Sequence, residues 1–207
     1  MPAPSKGKSI QVARERLLRA STMLHSVSSV SREAFEALLT PRVFAVGEAL
    51  LSGGQKASHC FFIDTGLVRE FYLGADGAQH TRTFLAEGQL TGSLLDLISK
   101  RPAITCIEAL EPTVTLAFAY AEFDTLCARY PDLQQVARRF AEALYVRKAQ
   151  REHAMLAFSA SERYAQWLRE QPGLDRRIQR QHLASYLGVS PEHLSRLQRS
   201  VRTDRGA

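Results

Sequence analysis

The run Arg180–Arg199, RQHLASYLGVSPEHLSRLQR, holds the residues whose types and spacing carry the clearest chemistry in this chain. Leu183 and Leu187 are one helical turn apart and share a face, while Ala184 is small enough to let a second helix cross closely. Gly188 can take the left-handed conformation that stops a helix sharply, with Val189 covering the corner. Ser190 is an N-cap residue, and Pro191 stands at the first helical position, where its missing N–H costs nothing. Leu194 and Leu197 then turn inward, leaving Glu192, His193, Ser195, Arg196 and Arg199 outward. Two short helices, a small residue at their crossing, a glycine turn and a capped second helix with a polar outer face make a helix-turn-helix. A plain helical hairpin would share the leucines but would not need that polar face.

The chemistry implied is the reading of duplex DNA. A second helix in the major groove presents Ser190, Glu192 and His193 on its first turn. Glu192 can accept from cytosine N4, and Arg196 can reach guanine O6/N7 or a phosphate. Arg180, Arg199 and the Ser190 hydroxyl are candidate phosphate contacts that set register; Gln181 and Ser195 complete the candidate set. Charge is distributed accordingly. The chain of 207 residues carries a net +6. Residues 171–207 contribute +4, all the cations being arginine, and residues 1–20 a further +4, which leaves the middle at −2. A near-neutral body with basic ends suits a polyanionic partner.

The elements that must position this unit are also patterned. From Arg42 to Phe118 short β-type runs alternate with glycines: Arg42–Val46, Ala49–Ser52, Cys60–Ile63, Val68–Leu73, His80–Leu85, Ile104–Leu110 and Val114–Phe118. Gly47, Gly53–Gly54, Gly66, Gly74–Gly77 and Gly88 between them are the turn chemistry of an antiparallel barrel or jelly roll. Leu94–Ser99 reads as one short helix within it. Ser31 with Glu33 is expected to open a short helix that stops at Pro41, and Met1–Ser21 to be frayed. Glu122–Arg129 predicts a short helix before Pro131. Asp132 to Phe158 then runs without Gly or Pro, with Leu133, Val136, Ala137, Phe140, Leu144, Met155 and Leu156 at a 3–4 spacing. That apolar face must be covered by the barrel or by a second copy of the same helix. Ser161 is expected to cap a further helix through Trp167, broken at Gln171–Pro172–Gly173.

Several classes are disfavoured. Hydrophobic residues make up 45% of the chain and charged ones 23%, ordinary globular proportions. No apolar stretch approaches the roughly 20 residues of a membrane span, and no secretory h-region opens the chain. Cys60, Cys106 and Cys127 are odd in number and lack a C-x-x-C pair, so they read as reduced thiols of a cytoplasmic protein. The histidines His25, His59, His80, His153, His182 and His193 form no H-x-H or H-E-x-x-H pair, and neither G-x-S-x-G nor a P-loop occurs. No catalytic residue, no metal site and no cofactor is expected.

In this order of strands, long helix and helix-turn-helix the chain resembles the superfamily of the cyclic AMP receptor protein and the fumarate–nitrate reduction regulator, over about residues 25–199. The barrel matches at Phe44–Leu51, at Phe61–Phe62–Ile63 with Gly66–Leu67–Val68, at Gly88–Gln89–Leu90–Thr91–Gly92 and at Ile107–Leu110. Family members read Ser-Arg-Glu-x-x-x-Arg at the recognition helix; here stand Ser190, Pro191, Glu192 and Arg196. The resemblance implies an α+β chain: a flexible basic segment (1–22), a cyclic-nucleotide-binding-like jelly-roll sensor (23–130), a long dimerisation helix (131–158) and a helix-turn-helix domain (159–207) with a short or missing wing. It implies a bacterial homodimer that regulates transcription from a palindromic operator, with RNA polymerase a candidate partner. An effector would lie near Gly92, Ser93, Leu94 and Arg101. Cyclic AMP in the usual mode is not expected, because Ser93 stands where those binders place a ribose glutamate and Ala103 where the phosphate arginine falls. The iron–sulfur cysteine cluster is absent too. The competing reading is a ligand-sensing module whose helical tail makes protein contacts.

Overall fold

The computed structural model describes residues 6–204, in two units. One holds the chain up to Glu70 together with Phe84–Leu144; the other joins Phe71–Thr83 to Tyr145 and beyond. The first unit begins with a helix, α1 (Lys6–Leu24), where fraying was expected. The Lys- and Ser-rich start masks a real apolar stripe: Ala13, Leu17 and Leu18 are buried in one cluster with Cys60 and Phe62. Arg16 adds an ion pair to the buried Asp64 at 3.2 Å. The flexible segment expected over 1–22 is therefore helical from Lys6 on. Helix α2 (Ser29–Glu36) is capped by Ser28, not Ser31. The choice is tertiary: Ser31 sits inside the helix and donates to Asp132 Oδ1 at 2.7 Å, which leaves the Ser28 hydroxyl to accept the Ser31 N–H.

The strands follow the glycine punctuation. They are β1 (Thr40–Phe44), β2 (Ala49–Leu51), β3 (His59–Thr65), β4 (Val68–Leu73), β5 (Gln79–Leu85), β6 (Leu90–Thr91), β7 (Thr105–Ala109) and β8 (Thr113–Ala119), with α3 (Leu94–Ser99) between β6 and β7. Only β6 lacks a sequence counterpart, because two residues cannot show an alternation. Two four-stranded sheets result, ordered β1-β8-β3-β6 and β2-β7-β4-β5, a jelly roll. The β3–β8 register sets Cys60 opposite Phe118 and Phe62 opposite Leu116. All four are buried. Helix α4 (Tyr120–Arg129) follows, and Phe35, Phe118 and Phe123 meet in pairs with ring centroids 5.2–5.3 Å apart.

Helix α5 (Pro131–Ala157) then runs 27 residues. Its first turns are packed, with Leu133 and Val136 buried; further on Tyr145 is 73% and Leu156 82% exposed. The second unit continues with α6 (Ala160–Glu170), a single 3₁₀ turn (Leu174–Arg176), α7 (Arg180–Leu187) and α8 (Pro191–Asp204). Here too the cap lies earlier than expected, at Ser159 in place of Ser161. Ser159 and Glu162 form a reciprocal capping box, and that S-x-x-E spacing decides between the two serines. No described helix is long and apolar enough to cross a membrane.

Asp132 joins the start of α2 to the start of α5. Burial works against its charge, but the Ser28 N–H, the Ser31 and Ser28 hydroxyls and the Leu133 N–H outweigh it and hold the carboxyl down to about 2. A depressed carboxyl stabilises the fold above its unfolded value near 4, and that contribution is lost as pH falls from there toward 2. Asp132→Asn should therefore lower stability by about 1–2 kcal/mol at neutral pH. The difference from wild type should shrink through this acid window and vanish at its lower end, as urea titrations at pH 7, 4 and 2.5 would show.

Candidate nucleic-acid interface and sensor pocket

The helix-turn-helix forms from the residues expected of it. Leu183, Ala184, Leu187 and Leu194 are buried, as are Trp167 and Leu174 of the same unit, and α7 packs against both α8 and α6. Helix α7 has eight residues, so its last four carbonyls make up half of it and need partners from outside the helix ladder. Each has one. The Val189 N–H reaches the Ala184 carbonyl and the Gly188 N–H the Ser185 carbonyl, the two bonds of a Schellman motif. Arg151 donates to the Tyr186 carbonyl with its guanidinium 3.7 Å over the Tyr186 ring. Arg163 Nε donates to the Leu187 carbonyl at 3.0 Å. Cations at this end also oppose the negative pole of the helix. Gly188 has φ +67°, where a side chain is strained whatever the space; the nearest atom to a Cβ there, Met155 Cε at 2.8 Å, ends a flexible side chain that can move aside, so the backbone is what demands glycine.

Helix α8 opens as expected: the Ser190 hydroxyl accepts the His193 N–H at 3.2 Å, and Pro191 is the first residue. Glu192, Arg196 and Arg199 are exposed, His193 and Ser195 partly so. The Glu192 carboxyl is held below its ordinary value by its own backbone N–H and the Ser190 hydroxyl, then by Arg196, so it is an ionised acceptor at neutral pH. Ser195 donates to the Pro191 carbonyl within the helix, at 2.8 Å. At the start of α7, Arg180 and Gln181 are exposed, Gln181 donating to Gln179 Oε1 at 3.1 Å.

One contact in this unit joins residues more than a hundred positions apart. Ser185, on α7, accepts the Thr81 N–H at 2.9 Å and donates to the Gln79 carbonyl at 3.0 Å. A hydroxyl thus pairs with the backbone of β5 as a neighbouring strand would. Neither Ser185 nor the two arginines closing α7 had any signal in local spacing.

In the jelly roll the four expected effector residues part company. Gly92 (φ +138°) passes so close to β3 that a Cβ would lie 3.1 Å from Cys60 Cα. Ser93 is 1% exposed, caps α3 and shares a hydrogen bond with Thr105 Oγ1 at 2.9 Å. Leu94 is half-buried, and Arg101 is exposed, with its backbone N–H directed to Ser99 Oγ. Elsewhere Arg69, 1% exposed, pairs with Glu108, and the buried Glu70 accepts from Thr91 Oγ1 at 2.8 Å.

Residues 41–130 match the sequence family described as the cyclic nucleotide-binding domain. Over those residues the jelly roll is similar to the members of that family. The chain is also homologous to the fumarate and nitrate reduction regulatory protein of Yersinia pestis, at 25% identity over 162 residues, 73% of this chain and 64% of that protein. It thus spans a little under two thirds of that relative's length. Among solved structures, FixK2 of Bradyrhizobium japonicum is similar with a TM-score of 0.67 at 22% identity, over 80% of this chain and 85% of that one. The catabolite activator protein of Thermus thermophilus gives 0.54 at 24%, over 88% and 87%. These likenesses show a shared fold, the one the sequence resemblance implied.

Within the first unit the thiols Cys60 and Cys127 are pushed up by burial, to about 12 and about 11, and Cys106 is buried and free. At those values Cys60 and Cys127 are protonated at neutral pH and are poor nucleophiles. No cluster of three or more potential metal ligands occurs among the described residues.

The closure of α7 is open to test. Gly188→Ala should cost about 1–2 kcal/mol, from the left-handed backbone. Adding Met155→Ala should leave that cost nearly unchanged, a near-additivity that urea unfolding of the two single variants and the double variant measures.

Proposed function

We propose that this chain is a homodimeric, sequence-specific DNA-binding transcription regulator, with α8 as the helix that enters the major groove. The observation that carries this is the capped α8, closed onto α7 by a fully satisfied turn, with Glu192, His193 and Arg196 turned to solvent on its first turns. Homology to the fumarate and nitrate reduction regulator supports the same reading. The domain division offered is 23–130 for the sensor, 131–158 for the dimerisation helix and 159–207 for the reader. Glu192 and Arg196 contact bases; Arg180, Gln181, Ser190 and Arg199 contact phosphates. The exposed apolar residues Tyr145, Val146 and Leu156 of α5 are the seam against the second copy. That pairing would hold two readers about one helical turn of DNA apart, in the cytoplasm where the DNA is. Cyclic AMP in the usual mode is not the effector, since neither the ribose glutamate nor the phosphate arginine has an equivalent here.

Selection of bound duplexes from a random pool at fixed moderate salt tests the reading. A two-fold symmetric site should emerge. Arg196→Ala should weaken that site about 10–100-fold while relaxing preference at one position of each half-site, and Arg180→Ala should weaken all sequences alike and flatten the salt dependence. Enrichment of no sequence, or of one indifferent to Arg196, overturns it. Sedimentation of Leu156→Glu should give monomers where the wild type gives dimers.

A further inference from the structure

The stretch entering α3 and the stretch entering β7 are tied together through one carboxylate. Asp96 is 3% exposed; its Oδ1 accepts the Ile104 N–H at 3.3 Å and its Oδ2 the Thr105 N–H at 3.2 Å. The hydroxyls of Ser93 and Thr105 lie beside this carboxylate and are hydrogen-bonded to each other at 2.9 Å, so at most one of their hydrogens is left to donate to it. Two consecutive backbone N–H groups aimed at one buried point, with a hydroxyl pair beside them, make a cradle for an anion. The resemblance to cyclic-nucleotide binders aligns the glycine of their phosphate-binding segment with Gly92 and their phosphate arginine with Ala103. That residue is 4% exposed in an apolar cluster with Ile63 and Ile107, so no cation faces the cradle from there.

We propose that Asp96 is the resident anion of this cradle, the chain's own substitute for a ligand phosphate, and that no cyclic nucleotide controls the protein through it. An incoming phosphate would meet N–H groups already engaged and a like charge, with alanine at the aligned arginine position. The two stretches are joined without an external ligand, and the domain is closed at this point whatever the nucleotide concentration. This deepens the reading of the domain as one that does not take cyclic AMP in the usual mode, and it is independent of DNA reading by α8.

The test is deletion and chemical rescue in the full chain. Thermal unfolding of wild type should be unmoved by cyclic AMP or cyclic GMP at about 1 mM, well above the usual range of effector affinities. Asp96→Ala, which leaves the Ile104 and Thr105 N–H groups without their acceptor, should lower Tm by about 5–10 °C. Sodium formate at about 100 mM, matched against sodium chloride, should return about 2–4 °C to Asp96→Ala. It should return nothing to wild type or to Asp96→Asn, whose amide still fills the space. If Asp96→Ala does not survive purification, its refolding yield with formate against chloride gives the same readout. A Tm rise in wild type with either nucleotide, wild-type stability in Asp96→Ala, or a formate effect shared by all three proteins each overturns the proposal. Duplex selection reports on α8 separately, so a failure there leaves this result standing.

Discussion

Everything the second unit does depends on how the last turn of α7 is closed. A helix this short has no interior to speak of, and four bare carbonyls at its end would leave it free to unwind. Two of the four are taken by the turn itself and two by arginines that arrive from α5 and α6. The direction in which α8 leaves is thereby set by hydrogen bonds as well as by the leucines beneath it. Removing any one donor would leave a polar group without a partner in a half-buried setting, so the constraint is cooperative. The polar face of α8 can be varied with little effect on this scaffold, because none of the groups closing α7 lies on it.

The jelly roll meets a different problem with the same physics. It carries Arg69, Glu70 and Asp96 in positions from which water is excluded, and each is answered by a named partner on another strand or stretch. Such pairs add little net stability over well-packed apolar residues. They do penalise wrong registers heavily, since a slip by one residue would turn each charge toward an apolar neighbour. Sheets this rich in short strands and glycine turns need that kind of discrimination.

The helix-turn-helix was legible because its code is local. Gly188, Ser190, Pro191 and the leucines declare their roles within twenty residues of chain, and the structure keeps them, with Leu183, Leu187 and Leu194 buried and Leu197 half-buried. The strands were legible for the same reason, through glycine at their ends. The misses have physical causes. At Ser28 against Ser31 two candidate caps lie within a few residues, and Asp132, about a hundred positions away, decides between them. At Ser159 against Ser161 the deciding signal, Glu162, was present in the sequence. Helix α1 was hidden by the composition of its first residues. Of the effector positions that the resemblance implied, Ser93 is buried in a hydrogen-bonded knot and Arg101 faces solvent. Asp96, Arg151, Arg163 and Ser185 act through long-range partners that no spacing announces.

The chain passes between the two units three times, at Glu70–Phe71, Thr83–Phe84 and Leu144–Tyr145. The second unit is therefore built from two separate stretches of chain. A fragment cut at α5 would leave Phe71–Thr83 behind, and with it the backbone groups that Ser185 bonds. Exchange of the first unit at a single splice point would produce a hybrid lacking part of its own second unit. That unit stays whole only when the β4–β5 tip and the helical tail travel together, as one block written in two places in the sequence.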